Sequence, residues 1–356
     1  MTNLDVPFEI QETNSSRLSG VDFNKLGFGD IISDHMFIAE YVKGEWTSAK
    51  IVPYGDLSLN PAMLALHYGQ SVFEGMKAFK NSKGEISIFR AQRHYQRFLK
   101  SLDRMCMAPV PEHLFIGGME QLIKLDKAWI PTVEGGSLYI RPFAFATESR
   151  LGVKISEKYL FIILTSPVGP YYSKPLRLKV EDHFVRAAEG GAGYAKCSGN
   201  YGGAYYPTKL ANEQGFDQVL WTDAKEHKYI DESGTMNVMF VIDGKLVTPK
   251  LTTAVLDGVT RDSILTLAKE MEVVVEERKF SVEELKNAFE NKTITEAFGA
   301  GTAAVVAPIA SINIAGTDYV LPEVTPDNFQ LRVKKKLNDI RMGIAPDAHQ
   351  WNHIIK

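Results

Sequence analysis

The sequence predicts a mixed α+β protein of two domains, and three observations predict it. Short strand-like runs rich in β-branched and aromatic residues recur along the chain. Helical segments fall between them too irregularly for a regular βαβ array. A stretch rich in proline and glycine, Ser166 to Pro175, then interrupts the pattern near the middle.

The strand-like runs are MFIAEYV from Met36, SLYIRPFAFA from Ser137, YLFIILTS from Tyr159, DQVLW from Asp217 and MNVMFVID from Met236. From Ala91 to Met105, Tyr95, Phe98, Leu99, Leu102 and Met105 recur at helical spacing. Asp262–Met271 and Asn328–Ile340 also read as helices. The break sets a first domain at residues 1–166, a linker at 167–178 and a second domain at 179–356. Neither an internal repeat nor a low-complexity tract is evident.

The 356 residues carry a formal charge of −3 and are 45% hydrophobic, enough for two sizeable cores. No broad basic surface points to nucleic acid as a partner. Lys334-Lys335-Lys336 reads as a solvated helix face. The two cysteines, Cys106 and Cys197, can build neither a disulfide framework nor a C-x-x-C metal site, and no metal is expected. The polar N-terminus lacks a signal-peptide pattern and no apolar run reaches membrane-spanning length. The expectation is a cytoplasmic protein with no membrane partner.

Five segments carry candidate chemistry. Glu189–Pro207, EGGAGYAKCSGNYGGAYYP, places Lys196 in a glycine-rich setting where backbone can approach a flat ligand. A desolvated lysine there would have a lowered pKa and a nucleophilic amine, as Schiff-base chemistry needs. Alone, the segment is equally a surface loop with a solvated lysine.

Gly258-Val259-Thr260-Arg261-Asp262 precedes a helix, whose start could hold a phosphate or be capped by Thr260 or Asp262. Gly299-Ala300-Gly301-Thr302-Ala303-Ala304 matches G-x-G-x-x-A, but β-branched residues and Pro308 follow instead of a long helix. A tight turn offering N–H groups and the Thr302 hydroxyl fits better than a dinucleotide fingerprint. Glu232, just before a strand, is either a turn acid or a carboxylate for a protonated ring nitrogen. Arg93, Arg97, Lys100 and Arg104 form a basic stripe on the helix from Ala91, ordinarily a solvated face.

Together these segments resemble the branched-chain amino acid aminotransferases, class IV enzymes of pyridoxal phosphate fold type IV. The resemblance runs from Asp34 to Gly343. It rests on SDHM, LHYGQSVFEGMKAF, FRAQRHYQR, LYIRP, PVGPYY, YAKCSGNYGG, DESGTMN, GVTR and FGAGTAAVV in that order, with FEGMKAF and KCSGNYGG the most specific. It implies a smaller N-terminal α/β domain, a larger, barrel-like C-terminal domain, and pyridoxal 5'-phosphate held as a Schiff base on Lys196.

By the same resemblance Arg97 binds the phosphate, Val259 and Thr260 contact it through their backbone, and Thr302 contacts it through its side chain. Tyr201 stands beside the phenolic oxygen and Glu232 partners the ring nitrogen. The substrate positions are Phe28, Tyr68, Phe73, Tyr139, Arg141, Tyr171, Thr235 and Ala303. Leu151 resembles a residue that reaches the neighbouring subunit's pocket, so a homodimer is implied. Animal members carry a C-x-x-C pair where this chain has Ala304 and Ala307, so no thiol switch of that kind is expected.

The implied reaction is reversible amino transfer between L-leucine, L-isoleucine or L-valine and 2-oxoglutarate. Lys196 serves as the base at the α-carbon. The rivals of the same fold are a D-amino acid aminotransferase and an aminodeoxychorismate lyase. Two others are a nicotinamide dehydrogenase using the G-x-G-x-x-A match and a non-catalytic pyridoxal phosphate-binding module.

Overall fold

The computed structural model describes residues 8–170 and 174–356. The chain divides into two compact units. The first comprises residues 1–171, 195–199 and 340–356, and the second comprises residues 172–194 and 200–339. Two later segments join the first unit, where the sequence boundaries assign them to the second. Backbone pairing explains both. Phe73 N–H donates to Lys196 O at 3.0 Å and Ser198 N–H to Ser71 O at 3.1 Å. The C-terminal strand Asn352–Ile355 pairs antiparallel with Ile86–Phe89.

In the first unit the described strands form a nine-stranded sheet. Its order is Glu9–Ile10, Glu45–Pro53, His35–Val42, Lys158–Val168, Ser137–Ala146, Met76–Lys80, Ile86–Phe89 and Asn352–Ile355, with Ser71–Phe73 also paired to Ser137–Ala146. The expected strands at Met36, Ser137 and Tyr159 lie at its centre. The helix Ala91–Arg104 buries Phe98 and Leu102 as its apolar spacing requires, and Phe98 packs 5.7 Å from Phe161 and 5.2 Å from Phe115. The same face also buries His94, Arg97 and Ser101. The basic stripe is therefore not one solvated face: Arg97 is 4% exposed while Lys100 remains exposed.

The second unit's described strands form another nine-stranded sheet, with parallel and antiparallel pairs. Its order is Ile230–Ser233, Gln218–Thr222, Leu176–Val180, Val305–Ile314, Ile294–Gly301, Asn237–Ile242, Lys245–Pro249 and Val275–Arg278, with Thr317–Val320 on Val305–Ile314. Phe240, Phe280, Ile309 and Leu178 belong to its apolar core. The expected helices are present as Val259–Glu270 and Phe329–Arg341. Among the described residues, no helix is long and apolar enough to cross a membrane.

Candidate active site

In the first unit, Lys196 is held by its backbone on both sides. Its C=O accepts from Phe73 N–H, and its own N–H donates to Ser101 Oγ at 2.9 Å. Its Nζ lies 4.8 Å from the centroid of the Phe73 ring. The alternation of the strand Ser137–Ala146 puts Tyr139 and Arg141 on one face. Arg141 lies over the Phe73 and Tyr139 rings, at 4.8 and 5.2 Å, and its Nη2 donates to Tyr139 Oη at 2.9 Å. Phe28 stacks edge-on against Tyr139 at 4.9 Å. Five predicted residues, Phe28, Phe73, Tyr139, Arg141 and Lys196, thus come together. Tyr68 is exposed, with its hydroxyl on Leu151 O. Tyr171 lies outside the described residues.

Arg97 projects from the helix Ala91–Arg104 onto Glu74. Its Nε and Nη2 reach the two carboxylate oxygens at 2.6 and 2.9 Å. His94, one turn earlier, meets Glu74 Oε2 through Nδ1 at 2.8 Å. All three are nine-tenths or more buried. Burial would raise the Glu74 carboxyl, but the Arg97 charge and the hydrogen bonds from Arg97 and His94 outweigh it and hold it well below the usual carboxylate range. Burial pushes the His94 imidazole down, and the Arg97 and Lys196 charges add to that against the pull of Glu74. Glu74 and His94 had no assigned role in the sequence, although Glu74 sits inside FEGMKAF. An acid set among apolar residues, with Lys77 three positions on, was the available signal.

In the second unit the glycine-rich run packs tightly. A Cβ on Gly193 would stand 2.5 Å from Ala254 O, and Tyr194 N–H donates to Thr253 O at 3.0 Å. At Gly193 the close approach is therefore to another stretch of backbone. Arg186 ties this contact together, donating through Nη2 to Gly193 O at 3.1 Å and to Ala254 O. Its Nε lies 2.7 Å from Glu232 Oε2, an ion pair without the alignment of a hydrogen bond.

Glu232 is 3% exposed, and its Oε1 accepts from Asn237 Nδ2 at 3.1 Å and from Leu256 N–H at 2.9 Å. A turn follows, in which Gly234 takes φ +55 and Thr235 is exposed. The helix Val259–Glu270 starts at Gly258, not at Thr260 or Asp262, and Gly258 has no side chain to cap it. Val259 and Thr260, in its first turn, are buried. Gly301 pairs with Val305, so Thr302, Ala303 and Ala304 form a tight turn between antiparallel strands. No helix follows, which removes the dinucleotide fingerprint. Tyr201 lies in the short helix Gly199–Gly202 and is partly exposed.

The second unit also holds a cavity of about 500 Å³ lined in part by Asp231, Tyr229, Lys250 and Lys279. Among the described residues no cluster of side chains is suited to a metal ion.

The first unit thus holds a half-buried lysine beside aromatic rings and an arginine gripped by a carboxylate, and the second unit holds a carboxylate fixed from three sides. The sequence profile of the amino-transferase class IV family matches residues 71–312, and the chain belongs to this class IV aminotransferase family. It is 42% identical over 335 residues to the branched-chain-amino-acid transaminase 1 of Bacillus subtilis, covering 93% of this chain and 94% of that protein.

Among solved structures it is similar to the Escherichia coli branched-chain amino acid aminotransferase, with a TM-score of 0.75 and 27% identity over 91% of this chain and 99% of that one. The pyridoxal phosphate form of the Thermobaculum terrenum branched-chain enzyme shares the fold, at a TM-score of 0.72 and 22% identity over 90% of this chain and 98% of that one.

Proposed function

We propose that this protein is a pyridoxal 5'-phosphate-dependent transaminase that moves an amino group between L-leucine, L-isoleucine or L-valine and 2-oxoglutarate. The observation that carries the proposal is the placement of Lys196 Nζ against Phe73, in a group with Phe28, Tyr139 and Arg141. The relatives named branched-chain aminotransferases support the substrate class.

The donor set fits the cofactor. An aldehyde needs an amine, and Lys196 supplies it. A phosphate needs a fixed cation and N–H groups. Arg97 in the first unit is a cation fixed by Glu74, and the helix Val259–Glu270 in the second opens with such N–H groups. A pyridine nitrogen needs a carboxylate, and Glu232 is buried with its oxygens oriented. When bound, the cofactor supplies an electrophilic carbon for the amine and a ring that spreads negative charge.

The chain's own residues do the rest. Lys196 Nζ takes the proton from the substrate's α-carbon and returns it during the amino transfer. By the resemblance, Arg97, the backbone N–H groups of Val259 and Thr260 and the Thr302 hydroxyl would hold the phosphate, Glu232 would keep the ring nitrogen protonated, and the Tyr201 hydroxyl would serve the phenolic oxygen. Phe28, Phe73 and Tyr139 supply aromatic surface suited to branched side chains, and by the resemblance Tyr68, Tyr171, Thr235 and Ala303 would contribute to the substrate pocket. Arg141 meets the distal carboxylate of the acidic substrate.

The protein acts as a cytoplasmic homodimer in this proposal. Leu151, Val153 and Ile155 expose 69%, 79% and 58% of their surface on one loop, an apolar patch suited to a second copy of the chain. Assaying L-leucine, L-isoleucine, L-valine and D-alanine with 2-oxoglutarate tests the function. Turnover of the branched L-amino acids is expected, and turnover of D-alanine alone would overturn it.

A further inference from the structure

We propose that Ser101 is a positioning residue that fixes the backbone of Lys196 to the helix carrying Arg97. The proposal rests on the roles given above to Lys196 and Arg97. Ser101 lies one helical turn beyond Arg97 and is fully buried. Its hydroxyl donates to Arg97 O at 3.0 Å, and the same oxygen accepts the Lys196 N–H at 2.9 Å. A hydroxyl has a single proton to donate. With that proton on Arg97 O, a lone pair faces the Lys196 amide, and the direction of both bonds is set.

The two bonds complete a closed circuit. Lys196 O accepts from Phe73 N–H. The next residue, Glu74, grips the Arg97 guanidinium with both oxygens. The Arg97 backbone leads through Ser101 back to Lys196. Both amide groups of Lys196 are therefore anchored, one to the strand Ser71–Phe73 and one to the helix. The circuit leaves the Lys196 side chain outside it and tethers the Lys196 backbone to the helix that carries Arg97. An amine that moves a proton to and from a cofactor carbon needs such a fixed origin, because small displacements cost rate steeply. Serine inside a helix, bonded to the carbonyl four residues back, slightly destabilises and bends it. Here the same hydroxyl also serves Lys196.

Ser101→Ala removes both hydrogen bonds, while Ser101→Thr keeps the hydroxyl and adds a methyl group in a fully buried place. Four quantities are measured on each holoenzyme: kcat, KM for L-leucine, the pH midpoint of the bound cofactor's visible band, and the thermal midpoint. Ser101→Ala is expected to lower kcat by about fivefold or more with KM changed less than about twofold, and to displace the pH midpoint. Ser101→Thr is expected to retain more of kcat than Ser101→Ala even where its thermal midpoint is lower.

Wild-type kcat and pH midpoint in Ser101→Ala would overturn the proposal. So would activities that follow thermal stability instead of the presence of a hydroxyl. Lys196→Ala separates this proposal from the one beneath it. If Lys196→Ala keeps both the visible band and turnover, the site assignment falls and the role of Ser101 falls with it. If Lys196→Ala loses both and Ser101→Ala is silent, only the role of Ser101 falls.

Discussion

Arg186 Nε lies 2.7 Å from Glu232 Oε2, and the same guanidinium donates to Gly193 O and Ala254 O. One largely shielded cation thus orients the carboxylate assigned to the ring nitrogen and ties together the two backbone segments beside it. Asn237 and Leu256 N–H hold the other oxygen. Arg186→Gln removes the charge and leaves Glu232 buried beside a neutral amide. Breaking such a pair costs about 3–5 kcal/mol. The expected result is a lower unfolding midpoint and a kcat reduced by about tenfold or more, with Arg186→Lys recovering part of both. Equal losses in the Gln and Lys variants would show that the charge is not what matters.

Glu74 makes a second such pair with Arg97, the carboxylate fully buried and the arginine 4% exposed. In Glu74→Gln the arginine loses its counter-charge but would regain one from a bound phosphate. The apoprotein is expected to lose about 3 kcal/mol or more of stability, and the holoprotein clearly less. Urea unfolding with and without pyridoxal phosphate measures both. Equal destabilisation of the two forms would count against Arg97 as the phosphate ligand.

Gly75 follows Glu74, and a Cβ placed on it would stand 2.0 Å from Tyr139 Oη. That hydroxyl also accepts from Arg141. Gly75→Ala must push the Tyr139 ring and disturb the Tyr139–Arg141 pair. KM for L-leucine and 2-oxoglutarate is expected to rise about tenfold, with a smaller change in the visible band of the bound cofactor. Unchanged KM values would remove Tyr139 from the substrate pocket.

Asp231 supplies a pH test. Burial pushes its carboxyl up to about 7, and the Glu232 charge adds to this while Arg186 opposes it. The ordinary value is 3.8. Between these limits the folded protein holds a proton that the unfolded chain has released. This contribution to stability is complete below the lower limit and is lost as pH rises through about 7. Asp231→Asn has no such slope. Its stability relative to wild type is expected to improve by about 2 kcal/mol between pH 5 and pH 8. A pH-independent difference would contradict the raised value.

Local pattern made much of the fold legible. The strands at Met36, Ser137, Tyr159, Asp217 and Met236 and the three helices announced themselves through periodicity and β-branched or aromatic content. Their partners did not. That the Lys196 segment lies against Ser71–Phe73, and Asn352–Ile355 against Ile86–Phe89, depends on pairing between distant residues that leaves no local trace.

The site followed the same division. Lys196 and Glu232 were each open to a plain surface reading by residue type and neighbours, and only the resemblance gave them roles. Arg97 was one of four similar cations, and its burial and its contact with Glu74 distinguish it in the folded chain. Glu74, His94, Ser101 and Arg186 act through contacts with other side chains or with distant backbone, so their chemistry appears only once the chain is folded.

The most direct test of the central claim is spectral. Purified protein loaded with pyridoxal phosphate is titrated with L-leucine, alongside Lys196→Ala treated identically. The account predicts a visible band in the wild-type protein that bleaches on adding leucine and returns on adding 2-oxoglutarate, and no such cycle in Lys196→Ala. A band that ignores every branched-chain L-amino acid, or a full cycle in the variant, would contradict it.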